Sequence, residues 1–205
     1  MELPGTDYLE HLSHDPKLKK LLTGAEKRVL NRRTDLTFFL YSTITQQQLS
    51  TRVGEVLVER FLNIYGGQKP TSRQVVETPL ETLRSIGLSN AKASYIKNIA
   101  QFDIDYGLNI EKLDAMTDEE VTTYITGIKG IGKWTAHVFL ISALGREDVF
   151  PTDDLILQKA VAGVYGLDRN DKKKFMADMQ TIAEKWRPFR TYASLYLWRW
   201  KEDDK

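Results

Sequence analysis

The run ITGIKGIGKWTAHVFLISALGREDVFPTDDLILQKAV, Ile125 to Val161, decides how this chain is read. Three glycines, Gly127, Gly130 and Gly132, stand between two helix-like segments, and two adjacent aspartates, Asp153 and Asp154, follow downstream. At Gly130 and Gly132 the absence of a Cβ permits positive φ and close approach to another surface. The amides that follow open a helix, so they converge with the helix dipole behind them and form a ready site for a phosphate. Lys133 and Thr135 in that first turn can add a charge and a hydroxyl, and apolar Ile128 and Ile131 anchor the hairpin in the core. The same glycines also fit a plain helical hairpin that binds nothing. There is no buried strand before them for a dinucleotide fold and no Gly-Lys-Ser/Thr ending for a nucleotide loop.

Outward from the hairpin, apolar residues recur at three- and four-residue spacing, and alternating runs are scarce. This predicts an all-α fold of around ten helices. Thr117 followed by Asp118, Glu119 and Glu120 is a capping-box start for a helix ending near Gly127, and Lys133 to Leu144 fits a helix closed by Gly145. Ser89 caps a helix to about Phe102. Thr78-Pro79 reads as a cap followed by proline at the first helical position, with Gly87 as the stop. Further helices are expected at about 16–22, 36–48, 50–65, 153–165, 171–186 and 191–200.

The 205 residues carry 29 Lys+Arg against 28 Asp+Glu, for a formal charge of +1, so a polyanion would need a local basic surface. With 41% hydrophobic and 28% charged residues the composition is that of an ordinary globular chain. There is no cysteine, which removes disulfides, thiolate-bound zinc, iron–sulfur clusters and thiol catalysis together. No apolar run approaches the roughly 20 residues that span a bilayer, and charges fill the first twenty positions, so no membrane association and an intracellular location are expected.

The aspartates have a plain reading as helix caps, with Asp153 or Thr152 accepting first-turn amides and Asp154 favouring the positive end of the dipole. That reading leaves room for one of them to act. A carboxylate fixed at a helix N-terminus can stabilise a developing cation and orient or deprotonate water. Beside a phosphate-binding hairpin, the place for such a cation is a sugar of DNA, and the reaction would be cleavage of an N-glycosidic bond.

Five motifs then carry a resemblance: ITQQQLS (44–50), GLSNAKASYI (87–96), GIKGIGKWTA (127–136), VFPTDDLILQKAV (149–161) and WRPFRTYASLYLW (186–198). Over about Leu36 to Trp198 the chain resembles the helix-hairpin-helix DNA glycosylases, and within them the 3-methyladenine DNA glycosylase II group. The resemblance implies a single glycosylase unit over 1–205, two-lobed, with a central helical lobe of about 36–150 holding the hairpin 127–133 and a second lobe from the N- and C-terminal helices. It implies Asp154 as the catalytic carboxylate with Asp153 as supporting cap, and Lys159 at the family's basic position. Gly130, Gly132, Lys133 and Thr135 would hold a DNA phosphate. Gln48, with Gln47 beside it, would be the wedge that fills the gap left by an extruded nucleotide. Trp198, Trp134 and Tyr196 would line the base pocket, since π-faces suit a cationic base.

Relatives that also cut the strand carry a lysine where this chain has Trp134, and an indole cannot form an imine, so a monofunctional enzyme is implied. A ring-methylated base is already a good leaving group and needs no protonating side chain. The expected partner is double-stranded DNA containing alkylated bases such as 3-methyladenine and 7-methylguanine, met by a monomer. No cofactor is expected; a monovalent cation could sit at the carbonyls of Ile128 and Ile131. Two other readings stay open: a non-catalytic helix-hairpin-helix DNA-binding module, and a glycosylase for uracil or oxidised purines.

Overall fold

The computed structural model describes residues 7–203. Among these residues there are thirteen helices and no strands. The chain divides into two compact units, one continuous over 32–144, the other made of 1–31 together with 145–205.

The continuous unit holds α3 (Leu36–Gln46), α4 (Thr51–Asn63), α5 (Ser72–Glu77), α6 (Leu80–Ser85), α7 (Asn90–Tyr106), α8 (Ile110–Asp114), α9 (Asp118–Thr126) and α10 (Lys133–Ser142). Helix α7 is its spine, packed by α3, α5 and α6, and its Ile96, Ile99 and Ala100 are fully buried. Leu40, Tyr41 and Ile44 of α3 and Phe139 of α10 complete that core. Burying side chains of this size is what stabilises so short a set of helices, whose intrinsic propensity alone is marginal. Caps fix the boundaries. Thr117 and Glu120 form the expected capping box of α9, and Ser89 accepts the Lys92 amide at the start of α7.

The unit formed by both chain ends holds α1 (Tyr8–Leu12), α2 (Pro16–Leu22), α11 (Leu155–Tyr165), α12 (Lys172–Glu184) and α13 (Arg190–Asp203). Its core gathers Leu12, Leu18, Leu157, Val161, Met179, Trp186 and Leu197. Tyr8 of α1 stacks on Tyr192 of α13 with ring centroids 3.9 Å apart. Helix α13 lies close against α11, and Gly163 makes room for the Trp200 ring: a Cβ there would stand 2.8 Å from Trp200 Cη2.

Three helices escape the sequence expectation: α1, α5 and α8, of five, six and five residues. Thr78 ends α5 rather than capping the next helix, and Pro79 is itself the N-cap of α6. Helix α3 stops at Gln46 instead of reaching 48, and α7 runs on to Tyr106. No helix among the described residues is long and apolar enough to cross a membrane.

Candidate functional site

The hairpin between α9 and α10 is built from buried anchors and one obligatory glycine. Ile128 and Ile131 are 2% and 5% exposed, and the Ile131 amide donates to the Ile128 carbonyl at 3.0 Å. Gly130 has φ +107, and a Cβ on it would fall 2.2 Å from Cγ of Tyr95. The loop therefore rests flat on an aromatic ring of α7, and no side chain fits between them. Asn98, one turn along α7, donates its amide to the Lys129 carbonyl at 3.0 Å. Gly132 departs from expectation: its φ is −94, so positive φ is not what it supplies. It is the N-cap of α10, makes no side-chain cap hydrogen bond, and has open space where a Cβ would stand. The cap of α10 thus offers no side chain of its own to the helix N-terminus, an arrangement an anion can use.

Lys133, the first residue of α10, is exposed. Thr135 is not. At 2% exposure its hydroxyl is inside, accepting a hydrogen bond from Gln47 Nε2 at 3.0 Å, so it is not on the surface a phosphate would reach. Gln47 is correspondingly a tether and not a wedge: its side chain turns inward to α10. Both glutamines sit in the turn after α3 and not on a helix. Gln47 is the C-cap, and Gln48 is exposed with φ +60. The Lys92 ammonium reaches the same turn, donating to the carbonyls of Thr45 (3.0 Å) and Gln47 (2.7 Å), and burial draws it below its ordinary value of 10.5.

The carboxyl group stands in the other unit. The Thr152 amide bonds to Phe150 and the Asp154 amide to Pro151, a tight turn after which α11 begins. Asp154, not Asp153 or Thr152, is the N-cap. Its Oδ1 accepts the Leu157 amide at 2.6 Å and the Trp198 indole N–H at 3.1 Å, and the residue is 6% exposed. Asp153 is exposed beside it, and Lys159 lies exposed on α11. A carboxyl oxygen held by a backbone amide and a second donor has a fixed direction, which a group that must meet a reacting centre requires.

Of the aromatic candidates, Trp198 is half-buried and bonded to Asp154, and Trp134 is half-buried in the first turn of α10. Tyr196 is a core residue at 2% exposure. Its hydroxyl donates to the Glu26 carbonyl at 2.8 Å and shares a hydrogen bond with Tyr8, so its face is not available to a base. Several basic residues are likewise spoken for. Lys97 donates to the carbonyls of Val76 and Thr78, and Arg190 is locked on Asp148, whereas Arg52 and Lys133 are exposed. Among the described residues no group of three His, Asp or Glu could hold a metal ion.

The glycine hairpin and the capping Asp154 both fall within a stretch that one known family covers. The family model described as HhH-GPD superfamily base excision DNA repair protein matches residues 41–185, and the chain belongs to that family. The YfjP protein of Bacillus subtilis is 34% identical over 162 residues, 76% of this chain and 55% of its own length. DNA-3-methyladenine glycosylase 1 of Schizosaccharomyces pombe is 33% identical over 78% of this chain and 70% of its own. The chain thus spans about half the length of the first relative and more than two thirds of the second. Among solved structures, an S. pombe 3-methyladenine DNA glycosylase in complex with abasic DNA superposes with a TM-score of 0.83 at 30% identity, covering 95% of this chain and 96% of that one. A DNA-3-methyladenine glycosidase from Bacillus halodurans gives 0.81 at 29% identity over 96% and 89%.

Proposed function

We propose that this chain is a monofunctional DNA glycosylase that hydrolyses the N-glycosidic bond of alkylated bases, 3-methyladenine first and 7-methylguanine second, in double-stranded DNA. The observation that carries the reading is Asp154, a capping carboxyl with one oxygen held by the Leu157 amide and the Trp198 indole. The names of the relatives, at about a third identity, supply the substrate class.

In this reading the α10 N-terminus, with Lys133, binds a backbone phosphate, and Gln48 occupies the gap left when the damaged nucleotide leaves the stack. A base methylated on a ring nitrogen carries positive charge and departs without a proton from the protein. As the bond stretches, positive charge gathers on the sugar, and the Asp154 carboxylate stabilises it more than it stabilises the ground state. The same carboxylate orients a water, accepts its proton as the C–O bond forms, and leaves an intact strand bearing an abasic sugar. Trp198, bonded to Asp154, offers a π-face to the cationic base. Trp134 stands where strand-cutting relatives place their lysine, so no imine forms and no lyase step follows. The carbonyls of Ile128 and Ile131 would hold a monovalent cation, whose positive charge would favour a DNA phosphate there.

Dimethyl-sulfate-treated duplex incubated with wild type and Asp154→Asn tests this. The expected result is free 3-methyladenine with wild type only, and strand breaks only after hot alkali. Release from uracil- or oxidised-purine-containing duplex alone would reassign the substrate. Equal DNA binding by both proteins with no base released would leave a binding module.

A further inference from the structure

Gln48 is the one non-glycine residue with φ in the left-handed region among the described residues, at +60. That region suits glycine and asparagine; a glutamine stays there only when its surroundings hold it. Three contacts do so, each from a different helix. The Lys92 ammonium, from the first turn of α7, takes the carbonyls of Thr45 and Gln47. The Gln47 side chain is bonded to Thr135 of α10. Helix α4 closes on Gln46 through Gly54, where a Cβ would stand 2.8 Å from Gln46 Cγ.

The Lys92 contact is more than a helix C-cap. The Gln47 carbonyl shares a peptide plane with the Gln48 nitrogen, so holding that carbonyl fixes the plane on one side of the Gln48 N–Cα bond, while the packing of α4 at Gly54 holds the chain on the other. The Lys92 bond to the Thr45 carbonyl caps the last turn of α3. Its shorter bond, 2.7 Å against 3.0 Å, goes to Gln47.

We propose that Lys92 is a positioning residue for nucleotide extrusion: by holding the Gln47–Gln48 peptide it presents the Gln48 side chain in its inserting direction before DNA arrives. Thr135, through Gln47, ties the same turn to the helix whose first-turn amides meet the phosphate, so wedge and phosphate contact keep one register. The energetic role is preorganisation: the left-handed turn is formed once, on folding, and not at each encounter with DNA. This rests on the glycosylase reading, since Gln48 inserts only if a nucleotide is extruded.

The test is a double-mutant cycle on single-turnover release of 3-methyladenine from duplex, with wild type, Lys92→Met, Gln48→Gly and the pair, each checked by its thermal midpoint. Lys92→Met keeps the aliphatic stem and removes the donors, and is expected to slow release about tenfold, the scale of one charged hydrogen bond. In the Gln48→Gly background, where glycine is at ease and no wedge is presented, the same change is expected to alter the rate by no more than about twofold. Equal losses in both backgrounds, or no loss in either, overturn the proposal while the wild-type enzyme still releases base. Wild type that releases no base overturns the glycosylase reading, and the proposal with it. Should Lys92→Met not fold, Lys92→Gln replaces it in the same cycle, because its single amide cannot serve both carbonyls as the ammonium does.

Discussion

Trp198 donates its indole N–H to the same Asp154 oxygen that caps α11, so one carboxyl oxygen is held by two helices at 2.6 and 3.1 Å. In the proposed function capping and chemistry draw on one side chain, and substitutions can separate them. Asn caps as well as Asp, so Asp154→Asn is expected to change stability by no more than about 0.5 kcal/mol. Its base release should fall by a factor on the order of a thousand. Asp154→Ala should lose the cap as well, about 1 kcal/mol by urea denaturation. Trp198→Phe keeps an aromatic face without the donor; single-turnover release should drop about tenfold while affinity for abasic duplex holds within about twofold.

The hairpin glycines should behave differently from each other. Gly130→Ala places a Cβ into Tyr95 at positive φ, so a loss of more than about 2 kcal/mol is expected in denaturation, with DNA binding lost in proportion. Gly132→Ala meets nothing, and should cost less than about 1 kcal/mol. Its methyl group stands on the open side of the α10 N-terminus, so its DNA affinity should fall although the fold is intact. Fluorescence anisotropy on a duplex separates the two cases.

Exposed and inward-turned lysines make opposite forecasts. Lys133→Gln should leave the thermal midpoint unchanged and reduce the salt slope of duplex binding by about one. Lys97→Gln removes the donor to the Val76 and Thr78 carbonyls and should lower the midpoint while leaving the salt slope as it was.

Asp15 sets an acid limit. Burial pushes its carboxyl up, but the Tyr165 hydroxyl at 2.6 Å, the Lys17 and Leu18 amides and the Trp186 indole together hold it below 3.8. A folded value below the unfolded one means stability that is fully present above the unfolded value, about 3.9, and lost as pH falls through the folded value. Urea midpoints measured from pH 7 to pH 3 should be flat at first and then fall. In Asp15→Asn the fall should be shallower.

The parts legible in the sequence are those that local chemistry determines. Thr117 with Glu120, Ser89 and the Gly130 turn each announce themselves within four residues, and the structure places them as capping box, cap and left-handed glycine. Short helices α1, α5 and α8 escaped because five or six residues hold too little periodicity. The turn at Gln47 and Gln48 carries no glycine or proline, so nothing local marks the end of α3 at Gln46. Its conformation is imposed by Lys92 and Thr135, 45 and 88 residues from Gln47 in sequence. Nothing near Lys92, Lys97 or Arg190 in the sequence shows that carbonyls and Asp148 take them up, because pairings across such separations leave no local trace. Tyr196 could be a pocket wall or a core residue by pattern alone, and only its bonds to Glu26 and Tyr8 decide.

Because Tyr8 stacks on Tyr192, the first and last described helices belong to one unit while 32–144 form another between them. During synthesis the inserted unit has all its partners as soon as residue 144 has left the ribosome, whereas α1 and α2 must wait for α13. The hairpin is thus ready first, and Asp154 gains its indole partner only when nearly the whole chain has been made. In the proposed reading, a nascent or C-terminally clipped chain would carry the elements for gripping DNA without the completed carboxyl site that cuts the glycosidic bond.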